Sequence, residues 1–237
     1  MDSSCIVVSS SREVAEVTSA AFTANGWTVG GVGPWSSSGH RLADSLTSDF
    51  EESAALCRSA AAALGPLGAV VVHSDGLEPE DPSRPAELQA WRDQILGDLR
   101  LHASWLRAAL LASSDGPRIS VVNAVSASPV GGIVAQAIGQ LARCTQAGWS
   151  PDRVSVFAME IVEPGDRGYR SFAALAEWLC RQGAPELAAE ELAVGADWIG
   201  LRSHPVPAAT VSFCEDAFSP WMGDLLQGAL PVPPLRT

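Results

Sequence analysis

The sequence predicts an α/β fold in which a doubly wound parallel sheet of six or seven strands carries helices on both faces. The first observation is a stretch of twenty-four residues without a charge, from Ile119 to Ala142. It opens with a β-branched run typical of a strand buried on both faces, and from Ile133 to Ala147 its apolar residues lie on one helical face. The second observation is that short apolar runs and helical patterns alternate along most of the chain. This alternation is typical of parallel sheets with crossover helices.

Residues that begin or end helices divide the first part of the chain. Ser9, Ser10 and Ser11 can cap a helix, and Asn25-Gly26 can end it. The turn-rich loop at 33–39 has no room for a full helix, so the helix after the second strand is predicted to be missing. In order, the predicted elements are a strand at 5–8, a helix at 12–24, strands at 27–32 and 40–43, and an alanine-rich helix at 49–64.

The second part is defined by its apolar periodicity. A buried strand is predicted at 69–72, and a long helix at 86–112, where large apolar side chains recur near helical spacing. Within the uncharged stretch, Pro129 to Gly132 is predicted to be a polar corner between a strand and a helix. The elements predicted after it are a strand at 153–158, helices at 169–181 and 185–193, and a last strand at 208–213. No internal repeat is present, and we expect a single domain over residues 1–237.

The composition excludes several functions. All fifteen basic residues are arginines, so the chain has no lysine for a Schiff base, a P-loop or a catalytic Tyr/Lys pair. A net charge of −12 argues against binding to nucleic acid or to anionic membranes. The five cysteines lack CxxC spacing, so we expect no metal site and no disulfide framework. No basic segment opens the chain as in a signal peptide, and we expect a cytoplasmic protein.

The order of these elements resembles the short-chain dehydrogenase/reductase (SDR) family over roughly residues 5–164. Val70 to Gly76 resembles the strand that ends in the family's Asn-Asn-Ala-Gly, and Ala43-Asp44 resembles the strand end whose Asp contacts adenine. The helix at 91–110 is similar to the family's long helix, and Val121 to Ser126 to the strand that carries its catalytic Ser. The resemblance implies a Rossmann-like fold, NAD(P)-dependent chemistry, and dimers that pair through the long helix and the helix after the Ser strand.

The glycine-rich turn of the family is absent. Its conserved places in the family pattern fall here on Ser9, Ser10, Val14 and Glu16. Glycines let the backbone approach a pyrophosphate on a helix N-terminus, whereas a β-branched side chain blocks that approach and a carboxylate opposes the charge. We therefore expect no bound dinucleotide, although Asp44 is retained.

The family's catalytic set is incomplete as well. Asp98 stands at the place of its Asn and Ser126 at the place of its Ser, but no Tyr lies near Ser126 in the sequence and no Lys exists. The remaining candidates for catalysis are Ser126, Asp98 and His102, which stands one helical turn after Asp98. The neighbouring strand end adds His73 and Asp75. Each has a structural alternative: a solvated helix pair, a helix cap, or a strand-end histidine satisfied by backbone.

Three functions remain open. In the first, the chain has lost NAD(P)-dependent oxidoreductase activity and is a non-catalytic partner, as a homodimer or with an intact SDR subunit, through helices 86–112 and 133–147. Small residues on the second helix would allow a partner helix to approach closely, unless they pack on their own sheet. The amino-acid composition suggests a GC-rich bacterial genome, where such proteins often resemble accessory proteins of specialised metabolism. In the second, it is a dinucleotide-independent lyase, isomerase, cyclase or dehalogenase-like enzyme that binds a small molecule near Ser126. In the third, it is a reductase with atypical NAD or NADP binding.

Overall fold

The computed structural model describes residues 3–34, 40–76, 85–113, 118–148 and 153–201. Within them an eight-stranded sheet runs in the order β3-β2-β1-β4-β5-β6-β7-β8, and every neighbouring pair is parallel except β7 and β8. The strands are β1 (Ser4–Ser9), β2 (Thr28–Val32), β3 (His40–Ala43), β4 (Leu67–Ser74), β5 (Ile119–Ser126), β6 (Val154–Ile161), β7 (Glu191–Val194) and β8 (Ile199–Leu201). The helices are α1 (Arg12–Ala24), α2 (Phe50–Leu64), α3 (Pro85–Ala112), α4 (Pro129–Gly148) and α5 (Asp166–Gln182).

Two apolar layers cover the two faces of the sheet. Successive strand residues point to opposite faces, so Ile6 and Val8 join the layer formed with α2, α3 and α4, whereas Cys5 and Val7 join the layer formed with α1 and α5. The doubly wound prediction is therefore confirmed. β3 follows β2 after only seven residues, too few for a crossover helix, as predicted.

β5 lies at the centre of the sheet, between β4 and β6, and all eight of its residues are buried. The predicted polar corner at Pro129 to Gly132 is wrong, because these residues form the first turn of α4. Proline suits the first helical position, where its missing N–H has no helical acceptor, and the Ser128 hydroxyl accepts a hydrogen bond from the Gly131 N–H at 2.8 Å. Ile133, predicted on the apolar face, is 48% exposed. The buried face is formed by Val130, Gly131, Val134, Ala135, Ile138, Gly139 and Ala142.

The region after α5 differs from the prediction. A helix was expected at 185–193, but only a single 3₁₀ turn, Pro185–Leu187, precedes β7. Ala189 has a positive φ of 70°, which a continuous helix does not accommodate, and pairing with β6 buries Leu192 and Val194. β8 was not predicted and brings the strand count to eight. The strand expected at 208–213 lies outside the described residues, and the single-domain assignment for 1–237 stays a prediction.

No helix in the described ranges is long and apolar enough to cross a membrane.

Candidate functional site

Three polar side chains meet where the central parallel strands end. Ser9 ends β1, His73 stands near the end of β4, and Ser126 ends β5. The Ser9 hydroxyl lies 3.1 Å from His73 Nδ1, and the Ser126 hydroxyl lies 3.0 Å from His73 Nε2. His73 is only 1% exposed and Ser126 5%. The two serines therefore hold the imidazole from both sides inside the protein.

The hydrogen bonds of Ser9 determine which nitrogen of His73 carries the proton. The Ser9 hydroxyl donates to the carbonyl oxygen of Ser11 at 2.8 Å, so its only proton is already used. His73 Nδ1 must then donate to Ser9, which leaves Nε2 unprotonated to accept the hydroxyl proton of Ser126. Burial lowers the pKa of His73 to about 3, so the imidazole is neutral at physiological pH.

The carboxylate of Asp75 borders this row of side chains. Its Oδ1 lies 3.4 Å from the Ser126 hydroxyl and 3.7 Å from His73 Nε2. Its Oδ2 accepts a hydrogen bond from the Ser10 hydroxyl at 3.2 Å, and its backbone N–H donates to that hydroxyl at 2.8 Å. Burial raises the pKa of Asp75, while the hydrogen bond from Ser10 and the nearby Ser126 hydroxyl lower it. The Asp75 side chain is still 36% exposed, so a ligand at the strand ends can reach it.

Tyr169 completes the group, although sequence reasoning set it aside because it lies far from Ser126 along the chain. It stands in the first turn of α5, which follows β6, the strand beside β5. Burial raises the pKa of Tyr169, the hydrogen bond with Ser126 lowers it, and the charges of Asp75 and Glu13 raise it further. The phenol is therefore protonated at neutral pH. The strand predicted at 153–158 belongs to the predicted parallel sheet, so the segment after its carboxyl end was the available signal for this tyrosine.

The predicted set of Ser126, Asp98 and His102 does not form one group. His102 is fully buried, with Nδ1 3.1 Å from Asn123 Oδ1 and Nε2 3.2 Å from the Ser74 hydroxyl. Ser74 follows His73 on β4, and alternation along the strand directs it to the opposite face of the sheet. His102 therefore belongs to the α3 face, whereas Ser126 belongs to the α5 face.

Asp98 and His102 are not a solvated helix pair either, since Asp98 is only 6% exposed. Its Oδ1 accepts a hydrogen bond from the Gln94 side chain at 2.9 Å. Burial raises the pKa of Asp98 to about 6, with a smaller contribution in the same direction from the charge of Asp75. Burial also lowers the pKa of His102 to about 4. The α3 face thus holds a second buried polar group with perturbed ionisation.

The side chains that replace the family's glycine-rich turn do not lie where we expected them. Val14 packs into the core at 1% exposure instead of projecting into the groove. Glu16 lies on the helix surface and pairs with Arg12 at 2.8 Å, so its charge is largely balanced. Asp44 is exposed and forms an ion pair with Arg41. The clash of side chain and charge predicted at Val14 and Glu16 is therefore not what distinguishes this turn.

What distinguishes the turn is that two of its backbone N–H donors, those of Ser11 and Val14, are already bonded to its own serines. The N–H of Ser11 donates to the Ser9 hydroxyl at 3.1 Å, and the N–H of Val14 donates to the Ser11 hydroxyl at 3.3 Å. Ser10 is bound to the Asp75 carboxylate, which links the ends of β1 and β4. A pyrophosphate needs free donors and is repelled by a carboxylate, so the bonded N–H groups and Asp75 oppose the dinucleotide binding that the fold implies. Within the described ranges, no three His, Cys, Asp or Glu side chains are grouped as metal ligands.

Comparison with solved structures identifies the fold. No protein-family model and no curated protein sequence matches the chain. A short-chain dehydrogenase from Mycobacterium avium is 18% identical with a TM-score of 0.74, covering 97% of this chain and 96% of that one. An SDR from Serratia marcescens is 14% identical with a TM-score of 0.65, covering 82% and 96%. A Brucella ovis SDR family oxidoreductase, solved with a partially ordered NAD, is 18% identical with a TM-score of 0.60, covering 82% and 99%. The chain therefore has an SDR-like, Rossmann-like fold, as the sequence predicted.

Proposed function

We propose that this SDR-like protein has lost NAD(P)-dependent oxidoreductase activity and acts as a partner subunit, either in a homodimer or beside an intact SDR subunit of bacterial specialised metabolism. The observation that carries the loss of activity is the first turn, where Ser9 and Ser11 occupy backbone donors and Ser10 binds Asp75. The absence of lysine supports it, because no ammonium group can lower the pKa of Tyr169. The NAD in the Brucella ovis structure belongs to that protein.

The outward surface of α4 supports the partner role. Its small residues Gly131, Ala135, Gly139 and Ala142 are buried against the chain's own core, so they do not form a face for close helix approach. The exposed stripe carries no charge in a chain with 42 charged residues; it consists of Pro129, Ile133, Gln136, Gln140, Cys144, Ala147 and Gly148. The neighbouring α3 exposes Leu96 at 39% and Leu111 at 52%. Depletion of charge is characteristic of the centre of protein interfaces.

We expect substitution on this stripe to separate the subunits. Gln140→Arg and Ile133→Arg should convert a dimer into a monomer in sedimentation velocity, because each would bury an unpaired charge at an interface. Ser59→Arg, at an exposed position of α2, adds the same charge elsewhere and should leave the dimer intact. If the wild-type chain sediments as a monomer and recovers no SDR subunit from its source cell, the partner role is wrong.

We expect no saturable binding of NADH or NADPH up to millimolar concentrations, measured by the fluorescence of the reduced nicotinamide. Ser10→Gly removes the hydroxyl that holds Asp75 beside the turn and should increase the affinity from this low level. Ser59→Gly makes the same substitution at an exposed position of α2 and should leave the affinity unchanged. Micromolar binding by the wild-type protein would instead support a reductase with atypical cofactor binding.

A further inference from the structure

A groove of about 600 Å³ lies between α5 and β8, the last strand of the described sheet. Its α5 wall is a single helical face, formed by Ser171, Ala174, Leu175 and Trp178. The other wall includes Ile199 of β8, which lies opposite Val194 of β7 and therefore on the sheet face that α5 covers. Apolar side chains predominate in the lining, and the volume is in the range of small-molecule sites.

Two indole rings line this groove and remain partly open to solvent. Trp178 is 40% exposed and Trp198 is 41% exposed, whereas Trp105 in the core is fully buried. Removing aromatic surface from water is favourable, and folding has left part of this surface uncovered. The two rings therefore offer a ligand apolar area within one concave site.

The backbone of the turn between β7 and β8 fixes the orientation of Trp198. A Cβ added to Gly195 would overlap the indole nitrogen, and one added to Gly200 would lie 3.4 Å from the ring carbon Cζ3. The ring therefore lies directly against both glycines. Its Nε1 also donates a hydrogen bond to Glu163 Oε1 at 3.0 Å. A ligand does not have to order this exposed ring when it binds.

Three further hydrogen bonds hold the turn itself. The Gly195 N–H donates to the Trp198 carbonyl oxygen at 2.9 Å, and the Ala196 N–H donates to Glu163 Oε2 at 3.2 Å. The Ser171 hydroxyl donates to the Ala196 carbonyl oxygen at 2.7 Å. This last bond joins the turn to α5, so the two walls of the groove are fixed relative to each other.

The charged groups beside the indole rings favour a cation. Hydrogen bonds from Trp198 and Ala196 lower the pKa of Glu163, so this carboxyl group is ionised at neutral pH. Asp197 lines the groove, and its exposed ion pair with Arg167 is long, at 4.0 Å, and therefore weak. A cation over the face of an indole is attracted by the negative charge of the π system. Rings and carboxylates thus attract the same kind of ligand.

We propose that this groove binds a small organic cation with apolar substituents on its nitrogen, such as a quaternary ammonium compound. The ammonium group contacts the rings of Trp178 and Trp198 beside the Asp197 carboxylate. Its substituents pack against Leu175. Glu163 is a positioning residue, because it holds the indole of Trp198 by a hydrogen bond.

This inference goes beyond the proposed function and rests on a different part of the molecule. The groove is formed by α5 and β8, across the sheet from the α3 and α4 surface proposed for the partner. β8 also lies three strands away from β5, which carries Ser126. Absence of cation binding would not change the oligomeric state or the NADH titration, and failure of either of those tests would leave the groove in place.

Choline and 3,3-dimethylbutan-1-ol test the proposal, because they share one shape and differ in the charge of the branched centre. We expect choline to shift indole N–H signals in ¹H–¹⁵N NMR spectra of the full chain, with a Kd at least about tenfold lower than that of the uncharged alcohol. Trp178→Leu keeps an apolar side chain but removes a π face. It should weaken choline binding at least about tenfold and leave binding of the alcohol nearly unchanged.

Two carboxyl substitutions test the role of charge. Asp197→Asn should weaken choline binding about threefold, as expected for one exposed charge, and should not affect the alcohol. Asp93→Asn makes the same change at an exposed position of α3 and should leave both ligands unaffected. Circular dichroism and thermal unfolding that match the wild type establish that each variant is folded.

Three results would overturn the proposal: no choline binding by the wild-type protein, equal affinities for choline and the alcohol, or unchanged choline binding by folded Trp178→Leu. If choline does not bind and Trp178→Leu converts a dimer into a monomer in sedimentation velocity, the groove is an interface between two copies of the chain instead.

Discussion

Lowering the pH from 7 to 5 should reduce the free energy of unfolding by about 3 kcal/mol, mainly because of His73 and His102. Both imidazoles are buried and neutral, with pKa values lowered by burial from 6.5 to about 3 and about 4. In the unfolded chain each would gain a proton near pH 6.5. The unfolded state therefore binds more protons across this interval, and stability falls as the pH decreases.

The size of the effect follows from linkage. Each histidine contributes a loss of about 1.4 kcal/mol per pH unit below 6.5, or roughly 4 kcal/mol for both by pH 5. Asp98 acts in the opposite direction, because burial raises its folded pKa from 3.8 to about 6. On acidification the folded state takes up the Asp98 proton before the unfolded state does. This uptake offsets roughly 1 kcal/mol of the stability that the histidines lose. The histidines outweigh the carboxyl group, so the net change is destabilising.

Urea unfolding at pH 7, 6 and 5 measures this change directly. His102→Asn keeps an amide that can donate to Asn123 Oδ1 but cannot be protonated, so we expect it to remove about 2 kcal/mol of the pH dependence. His73→Asn should remove a similar part of the pH dependence, because an amide cannot be protonated. Its amide can still donate to Ser9. Each variant will be less stable than the wild type at pH 7, and the slope with pH is the relevant quantity. A wild-type stability that does not change between pH 7 and 5 would show that these imidazoles are solvated.

The fold was predictable where burial and pattern agree. β5 is apolar because both of its faces are covered, and such a run is recognised without knowledge of its partners. β7 was assigned to a helix because Glu191 to Val194 is short and preceded by alanines, which favour a helix by intrinsic propensity. Its strand conformation comes from pairing with β6, a tertiary effect that no local pattern contains.

The site was predictable only in part, because some of its residues are brought together by tertiary packing that no local pattern contains. The strand ends at His73 and Ser126 follow from parallel topology, and both were identified. Tyr169 is 43 residues beyond Ser126, and only the packing of α5 beside the ends of β5 and β6 brings it to that serine. Asp98 and Ser126 were grouped because both match the resemblance, and His102 was added because it stands one helical turn after Asp98. Side-chain alternation on β4 and β5 separates Ser126 from the other two across the sheet.

The backbone at the end of β5, where Ser126 lies, packs closely against the first turn of α4, and Gly131 makes this close packing possible. A Cβ added to Gly131 would overlap the carbonyl oxygen of Ser126 and would lie 3.0 Å from the Ser128 hydroxyl. Gly76, just after Asp75, faces the same place, since a Cβ there would lie 3.0 Å from the backbone nitrogen of Gly131. The segment after β4 and the first turn of α4 therefore contact each other through the backbones of Gly76 and Gly131. Any side chain at Gly131 has to move backbone atoms rather than a flexible side chain.

We expect Gly131→Ala to destabilise the protein by about 2–3 kcal/mol, as overpacking against backbone does, and to lower Tm by about 5–10 °C in a chain of this size. Gly132→Ala is the matched control, because it lies in the same helical turn and its added Cβ meets nothing within 4 Å. Alanine favours a helix over glycine, so the control should raise stability by about 0.5–1 kcal/mol. Thermal unfolding by circular dichroism compares the two variants under identical conditions. Equal Tm values for them would mean that β5 and α4 are not packed as closely as the structure shows.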